Sequence, residues 1–401
     1  MKRPSYLSRW IMWNFFSRPF ANTYVKFLYN YKIVSGFKKF PKPPFMLVAN
    51  HGTFFDPWII GGYSPYPFAY MVNDDGFRGK GLSPWYLRSI GAIPKKKGAS
   101  DFKAMKATMS YLNDKEAVCI FPEGQTTWDG ETQLAYKGLE KIVKKVSCPL
   151  VMVHMQGNFL TKPWWANTLR KGRILLNFNI LEKEEIDKLS SDEIFNKICE
   201  FIKQNDIKDP QNLAYPFSGK KLAEGLERFV WICMHCGNED TIVTDNNTIS
   251  CTSCGKKWNI DAHCRLSPLD KETKSFEDLK DWADYHRTFV LQKLQLPPAD
   301  VLAESTPVTL QLENENGEYE DRESGTLRLT TNEISFISQS QSRTWPLTEI
   351  DNYVIQKKDI FEFRHKETDI RFVFNKQSVM KWIYYVRYLK GYTRFEEQGY
   401  L

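Results

Sequence analysis

The chain has 401 residues, of which 42% are apolar and 14% aromatic, and a formal net charge of +7. Its length exceeds one average domain, so two or three are expected. No apolar run approaches the ~18–20 residues that span a bilayer, the N-terminus reads as carrying no signal peptide, and the cysteine placement excludes a secreted disulfide framework.

Residues 1–40 hold the excess charge. They contain Lys2, Arg3, Arg9, Arg18, Lys26, Lys32, Lys38 and Lys39 and no acidic residue, leaving 47 basic against 48 acidic residues elsewhere. Tyr6, Trp10, Trp13, Phe15, Phe16, Phe20, Tyr24 and Phe27 are interleaved with these cations. Cations and aromatics on a helix suit the interface of an anionic bilayer. Nucleic acid is the rival partner on the same residue types, and a helix pair packed on the next domain is the third reading.

From 42 to 180, short apolar runs alternate with helical patterns. The strand candidates are Phe45–Ala49, Phe68–Val72, Ala117–Phe121, Leu150–Met155 and Ile174–Ile180. Helices are predicted near 102–113, with Phe102, Met105, Met109 and Leu112 at spacings of three and four, near 137–147, and over Asp187–Gln204. The alternation predicts an α/β layered domain, assigned to 41–215. Residues 216–265 contain a cysteine set, 266–300 read as a helical, charged linker, and 301–401 hold six short strand candidates followed by a helix carrying Val379, Trp382, Ile383, Val386 and Leu389. That last arrangement resembles a pleckstrin-homology-like or GRAM-like domain.

Two segments carry the chemistry. Asn50-His51-Gly52-Thr53-Phe54-Phe55-Asp56 follows the first strand candidate, and Phe121-Pro122-Glu123-Gly124 follows the third. Polar groups at strand ends suggest a site. A turn between His51 and Asp56 would bring the carboxylate to one imidazole nitrogen and leave the other free as a base. This is the His–Asp half of a hydrolase triad without its serine, suited to deprotonating a substrate hydroxyl.

These two motifs, in this order and at this separation, resemble the first and third signature blocks of the glycerolipid acyltransferases, nearest the 1-acylglycerol-3-phosphate (lysophosphatidate) acyltransferases. The likeness covers roughly residues 42–180. It implies an α/β core with a mixed sheet flanked by helices, and O-acyl transfer in phospholipid biosynthesis. The donor would be acyl-CoA or an acyl carrier protein thioester, and the acceptor a lysophospholipid. His51 and Asp56 would be catalytic; Glu123 and Gly124 would bind the acceptor. The run Gly91-Ala92-Ile93-Pro94-Lys95-Lys96-Lys97-Gly98 resembles the second block, in which an Arg reads the phosphate. Lys97 falls at that Arg, with Lys95, Lys96 and Arg88 as further cations. Gln125-Thr126-Thr127 stands where the family has Thr-Arg-Ser, and Met152 where it has a proline. These departures bear on the acceptor more than on the chemistry. A lipid-binding or scaffold protein on the same fold is the alternative, and a nucleic-acid-associated zinc protein a remoter one.

Cys233-Met-His-Cys236 and Cys251-Thr-Ser-Cys254 form two knuckles. Four thiolates give a closed tetrahedral site that suits structural Zn2+; iron and a metal-free ribbon stay open. The ribbon has few cations, so no nucleic acid is expected. The protein is expected to be peripheral on the cytoplasmic side of the cell membrane, with a lipid or protein partner for the C-terminal domain.

Overall fold

Phe45–Ala49 is apolar throughout and buried at every position, as befits a strand covered on both faces. The computed structural model describes residues 3–96, 101–296, 300–314 and 317–392. Its first unit comprises residues up to 164 together with 169–218, and its second 165–168 together with the described residues from 219 onward.

In the first unit, β1 (Tyr31–Ser35), β2 (Phe45–Ala49), β3 (Phe68–Asn73), β4 (Ile93–Lys95), β5 (Ala117–Ile120), β6 (Leu150–Gln156) and β7 (Ile174–Leu181) form one sheet, in the order β1-β7-β6-β2-β5-β3-β4. Every neighbouring pair is parallel except β6 with β7. This is the expected mixed sheet. Along β2, Phe45, Leu47 and Ala49 join a cluster with Trp13, Val25 and Ile59. Met46 and Val48 point the other way, to Leu112, Val143 and Ile198 from helices Phe102–Asn113, Leu139–Val146 and Ser191–Ile202.

Three local readings change. The helix Phe102–Asn113 buries Ala104, Thr108, Tyr111 and Leu112, while Phe102 is exposed, so its inward face is turned from the expected one. The helix read over Asp187–Gln204 spans only Ser191–Ile202, and a separate short helix, Lys183–Ile186, precedes that stretch. Ser190 starts the longer helix, in a capping box with Glu193. The residues before Leu279 are not helical; Asp278 caps the helix Leu279–Gln295 by accepting from the Lys280 and Asp281 amides at 3.0 and 3.1 Å.

The basic-aromatic segment is helical from 6 to 29, with π-type turns at Trp13–Ser17 and Ala21–Val25. The first of these directly precedes the turn holding Pro19, which has no N–H for a regular helical bond. One face joins the core through Trp13, Val25 and Tyr29, and the Trp13 indole donates to the Ser64 carbonyl at 3.0 Å. Arg9 is fully buried and pairs with Glu116. The chain then enters the sheet as β1. The other face exposes Phe15, Phe16 and Phe27, the last at 84%. No described helix is long and apolar enough to cross a membrane.

In the second unit, β8 (Ile242–Asp245), β9 (Thr248–Cys251), β10 (Lys257–Ile260) and β11 (Leu266–Pro268) form an antiparallel sheet. β12 (Ala303–Glu313), β13 (Tyr319–Leu329), β14 (Glu333–Ser338), β15 (Ser342–Pro346), β16 (Ile350–Gln356), β17 (Ile360–His365) and β18 (Thr368–Phe374) form another, in the order β15-β14-β13-β12-β18-β17-β16, and the helix Met380–Leu389 follows. The C-terminal region is thus β-rich and ends in one helix, as expected. Polar contacts lace the helices to the cysteine ribbon. His286 Nε2 accepts the Trp231 and Ile232 amides at 3.0 and 3.1 Å, and the Lys381 ammonium meets Asp240 at 2.6 Å. Burial pushes the His286 ring down to about 3, so it stays neutral and Nε2 stays an acceptor.

Candidate active site and metal centre

β2 and β5 are parallel neighbours, with Val48 paired to Ile120. Both motifs therefore leave the same end of the sheet, side by side. Asn50 fixes the exit of β2: its side chain donates to the Met155 carbonyl at 2.8 Å and accepts the Met155 amide at 2.7 Å.

The chain then turns, with the Asp56 amide bonded to the Thr53 carbonyl at 3.2 Å, and Asp56 opens the helix Asp56–Gly61. The turn carries the carboxylate back to His51, where Asp56 Oδ2 lies 2.9 Å from Nδ1. The same oxygen accepts the Gly52 and Thr53 amides at 2.8 and 2.9 Å. With Asp56 as acceptor, the His51 proton sits on Nδ1 and Nε2 is the nitrogen free to act as a base. The ring stacks on Phe121, with centroids 4.3 Å apart, and its side chain is 18% exposed.

Glu123 is buried at 2% exposure. Its Oε1 accepts the His51 backbone N–H and its Oε2 the Gln133 backbone N–H, each at 2.6 Å. Burial raises this carboxyl well above the usual range, against the pull of the Gln133 and His51 amides. Across the loop, the His51 carbonyl accepts the Thr127 N–H at 3.0 Å. His51 is thus held at its amide, its carbonyl and its ring. Both Glu123 oxygens are engaged by main-chain donors, a bracing geometry. Gly124 has φ +68°, and a Cβ there would come within 2.5 Å of the Tyr136 ring, so this turn requires glycine.

The candidate cations separate. Lys95 ends β4, and its ammonium lies over the Tyr136 ring, 5.1 Å from the centroid. That ring packs on Gly124, so Lys95 is linked to the Glu123 loop. Burial lowers the Lys95 ammonium to about 8, partly offset by Asp101. The Lys96 amide donates to Asp101 at 2.9 Å. Arg88 is exposed and donates to the Phe77 carbonyl. Lys97 lies outside the described residues.

Sequence reasoning missed Asn158. It is 1% exposed, and its Nδ2 lies 3.3 Å from Asp56 Oδ2. An asparagine after a strand has no signature of its own; a glycine at 52 was the indirect sign, since a Cβ there would meet the Asn158 side chain at 2.5–2.7 Å.

In the second unit, Cys233, Cys236, Cys251 and Cys254 place all four Sγ atoms within 4.8 Å of one another. Cys233 and Cys254 are 3.8 Å apart and Cys236 and Cys251 3.9 Å apart. A tetrahedron of thiolates at ~2.3 Å from a metal has edges of ~3.8 Å, so the set fits a tetrahedral ion. Bonds from the Gly237 amide to the Cys233 carbonyl, 2.9 Å, and from the Gly255 amide to the Cys251 carbonyl, 3.0 Å, close the two knuckle turns.

Residues 33–156 match the family model described as Acyltransferase. This segment, from within β1 to the end of β6, is an acyltransferase-family domain. Searched against curated proteins, the chain has no match. Among solved structures it is similar to the 1-acyl-sn-glycerophosphate (LPA) acyltransferase PlsC from Thermotoga maritima, at 20% identity and a TM-score of 0.42, over 50% of this chain and 81% of that one. It is also similar to the C-terminal domain of an unknown protein from Leishmania infantum, at 14% identity and a TM-score of 0.17, over 28% of this chain and 97% of that one.

Proposed function

We propose that the acyltransferase-family domain moves a fatty acyl group from a thioester, acyl-CoA or acyl carrier protein, to a hydroxyl of a lysophospholipid, with 1-acylglycerol-3-phosphate as the leading acceptor. The observation that carries this reading is the His51–Asp56 pair, 2.9 Å apart at the end of β2, with no serine in the dyad. His51 Nε2 takes the proton of the acceptor hydroxyl. The oxygen attacks the thioester carbonyl carbon, and the tetrahedral intermediate expels the thiolate. The imidazolium returns its proton to the sulfur. Thiolate is a good enough leaving group that no acyl-enzyme is needed.

Glu123 braces the His51 loop in this scheme, and Lys95 supplies the cation for the acceptor phosphate. Lys offers a point charge rather than a bidentate fork, which suits a phosphate less strictly than Arg does. The exposed aromatics of the N-terminal helix support work at a membrane surface. Phe20 and Tyr24 stack at 5.3 Å, Phe20 lies 6.3 Å from Trp58, and Trp58 lies 5.7 Å from Phe54 of the catalytic loop. An apolar surface thus continues from the helix to Phe54, in the loop that carries His51. The four cysteines hold structural Zn2+, and the seven-stranded C-terminal domain with its closing helix acts as a pleckstrin-homology-like docking module.

The test is a panel of lysolipids offered with labelled acyl-CoA and acyl carrier protein thioester. Preferred transfer to a phosphate-headed lysolipid supports the acceptor assignment. Equal transfer to neutral lysolipids removes it.

A further inference from the structure

The segment matched by the family model ends at Gln156. A buried side-chain donor to the His51–Asp56 pair comes from beyond that point. Asn158 donates to Asp56 Oδ2 from 3.3 Å, reaching it across the space left by Gly52. Its placement depends on Asp206, which is 1% exposed. Asp206 Oδ1 accepts the Gly157 amide at 2.7 Å and Oδ2 the Phe159 amide at 2.8 Å, so the carboxylate grips the backbone on both sides of Asn158. Asp206 is itself fixed by Gln204 Nε2 at 2.9 Å and Asn212 Nδ2 at 3.0 Å. A buried carboxylate that takes four donors has a defined position, and it transmits that position to whatever it grips.

We infer that Asn158, set by Asp206, is a positioning residue for the catalytic pair: it fixes the Asp56 carboxylate and, through it, the plane of the His51 ring. This rests on the reading of His51 as the base. In this role Asn158 acts through Asp56 rather than on the reacting hydroxyl. The carboxylate it holds must stay in line with Nδ1 for Nε2 to face the hydroxyl, and a displacement of about 1 Å in such a group costs about a hundredfold in rate.

The discriminating variant is Asn158→Asp. It keeps the shape of the side chain and an oxygen for the Phe159 amide, which lies 3.1 Å from Asn158 Oδ1. It turns the donor facing Asp56 into a second carboxylate oxygen. Where both carboxylates are ionised the donor to Asp56 is gone, whereas filling and capping roles survive; the readouts are therefore taken as a function of pH. Asn158→Ala, which loses the donor without adding charge, serves where the carboxylate pair impairs folding. Two readouts are taken on folded full-length protein. The first is kinetic: kcat falls about ten- to a hundredfold while KM stays within about twofold. The second needs no substrate. The Nδ1–H proton resonance of His51, identified by its loss in His51→Ala, moves or vanishes in the Asn158 variant. Asp206→Asn, which removes one acceptor, moves both readouts in the same direction and by less. An unmoved resonance overturns the inference, as does a kcat within about twofold of wild type in an active enzyme. If wild-type protein transfers no acyl group, the acyl-transfer reading falls by itself. The resonance then decides alone, a shift sustaining the role of Asn158 and no shift ending it.

Discussion

Glu123 holds His51 by the main chain, its Oε1 accepting the His51 backbone N–H at 2.6 Å while Oε2 accepts from Gln133. Glu123→Gln keeps one acceptor oxygen and presents an amide N–H to the other backbone donor. A buried donor left unsatisfied costs about 1–3 kcal/mol, so denaturant unfolding should show a loss of that size. Because the loop carries His51, the proposed base, kcat should fall more than KM rises. A variant with normal stability and kcat but a raised KM would instead mark Glu123 as a direct acceptor contact.

Lys95 gives a pH signature with two opposite signs. Its ammonium is lowered from 10.5 to about 8 by burial. Between those values the unfolded chain still carries the proton and the folded chain does not, so this group makes stability rise with pH across that window. The same loss of charge weakens the grip on an acceptor phosphate, so KM for that acceptor should rise over the same window. Lys95→Met should raise KM at neutral pH by roughly 10- to 100-fold, the worth of a charge-assisted hydrogen bond, and flatten its pH dependence. A KM indifferent to both changes would show that Lys95 does not read the acceptor.

The two faces of the N-terminal helix differ in burial, and the proposed membrane role falls on the exposed one. Phe15, Phe16 and Phe27 are 60–84% exposed, whereas Trp13, Val25 and Tyr29 are in the core. Replacing the three exposed phenylalanines by Ser should leave the melting temperature nearly unchanged. Binding to anionic vesicles should weaken by roughly tenfold or more per residue, since each buries apolar side-chain area at the interface. Cosedimentation that stays at the wild-type level would place the membrane face elsewhere. Removing residues 1–40 outright takes away β1 and core side chains, so that truncation should unfold the domain and report nothing on membrane binding.

The cysteine cluster predicts close to one zinc per chain by metal analysis. Chelation should abolish the near-ultraviolet signal of the ribbon's buried Trp258 and zinc should restore it, since metal supplies folding energy that a short segment lacks. Cys236→Ser should lose both metal and signal. Full zinc content in that variant would mean that Cys236 is not a ligand.

The strands that were legible in the sequence are those whose apolar runs lie between covering helices, such as Phe45–Ala49 and Leu150–Gln156. β1 was hidden because Tyr31–Ser35 sits in a cationic stretch and is only partly buried. β4 is three residues long and contains a proline, and Ser342–Pro346 has a single buried apolar residue, so neither has a periodicity to read. In the site, His51 and Asp56 could be paired from sequence because a local turn joins them. Asn158 and Asp206 could not, because only the β2–β6 contact and the fold of the segment after β7 bring them to that turn. The main-chain contacts of Glu123 were also invisible, because the loops that bring the His51 and Gln133 amides to its two oxygens have no periodicity to read.

The most direct measurement is acyl transfer from a labelled thioester to a lysophospholipid by wild-type protein and by folded His51→Ala. With the base removed, the rate should drop by about 10²–10⁴ or more while the melting temperature stays near that of wild type. A His51→Ala protein that transfers acyl groups at the wild-type rate would contradict the account.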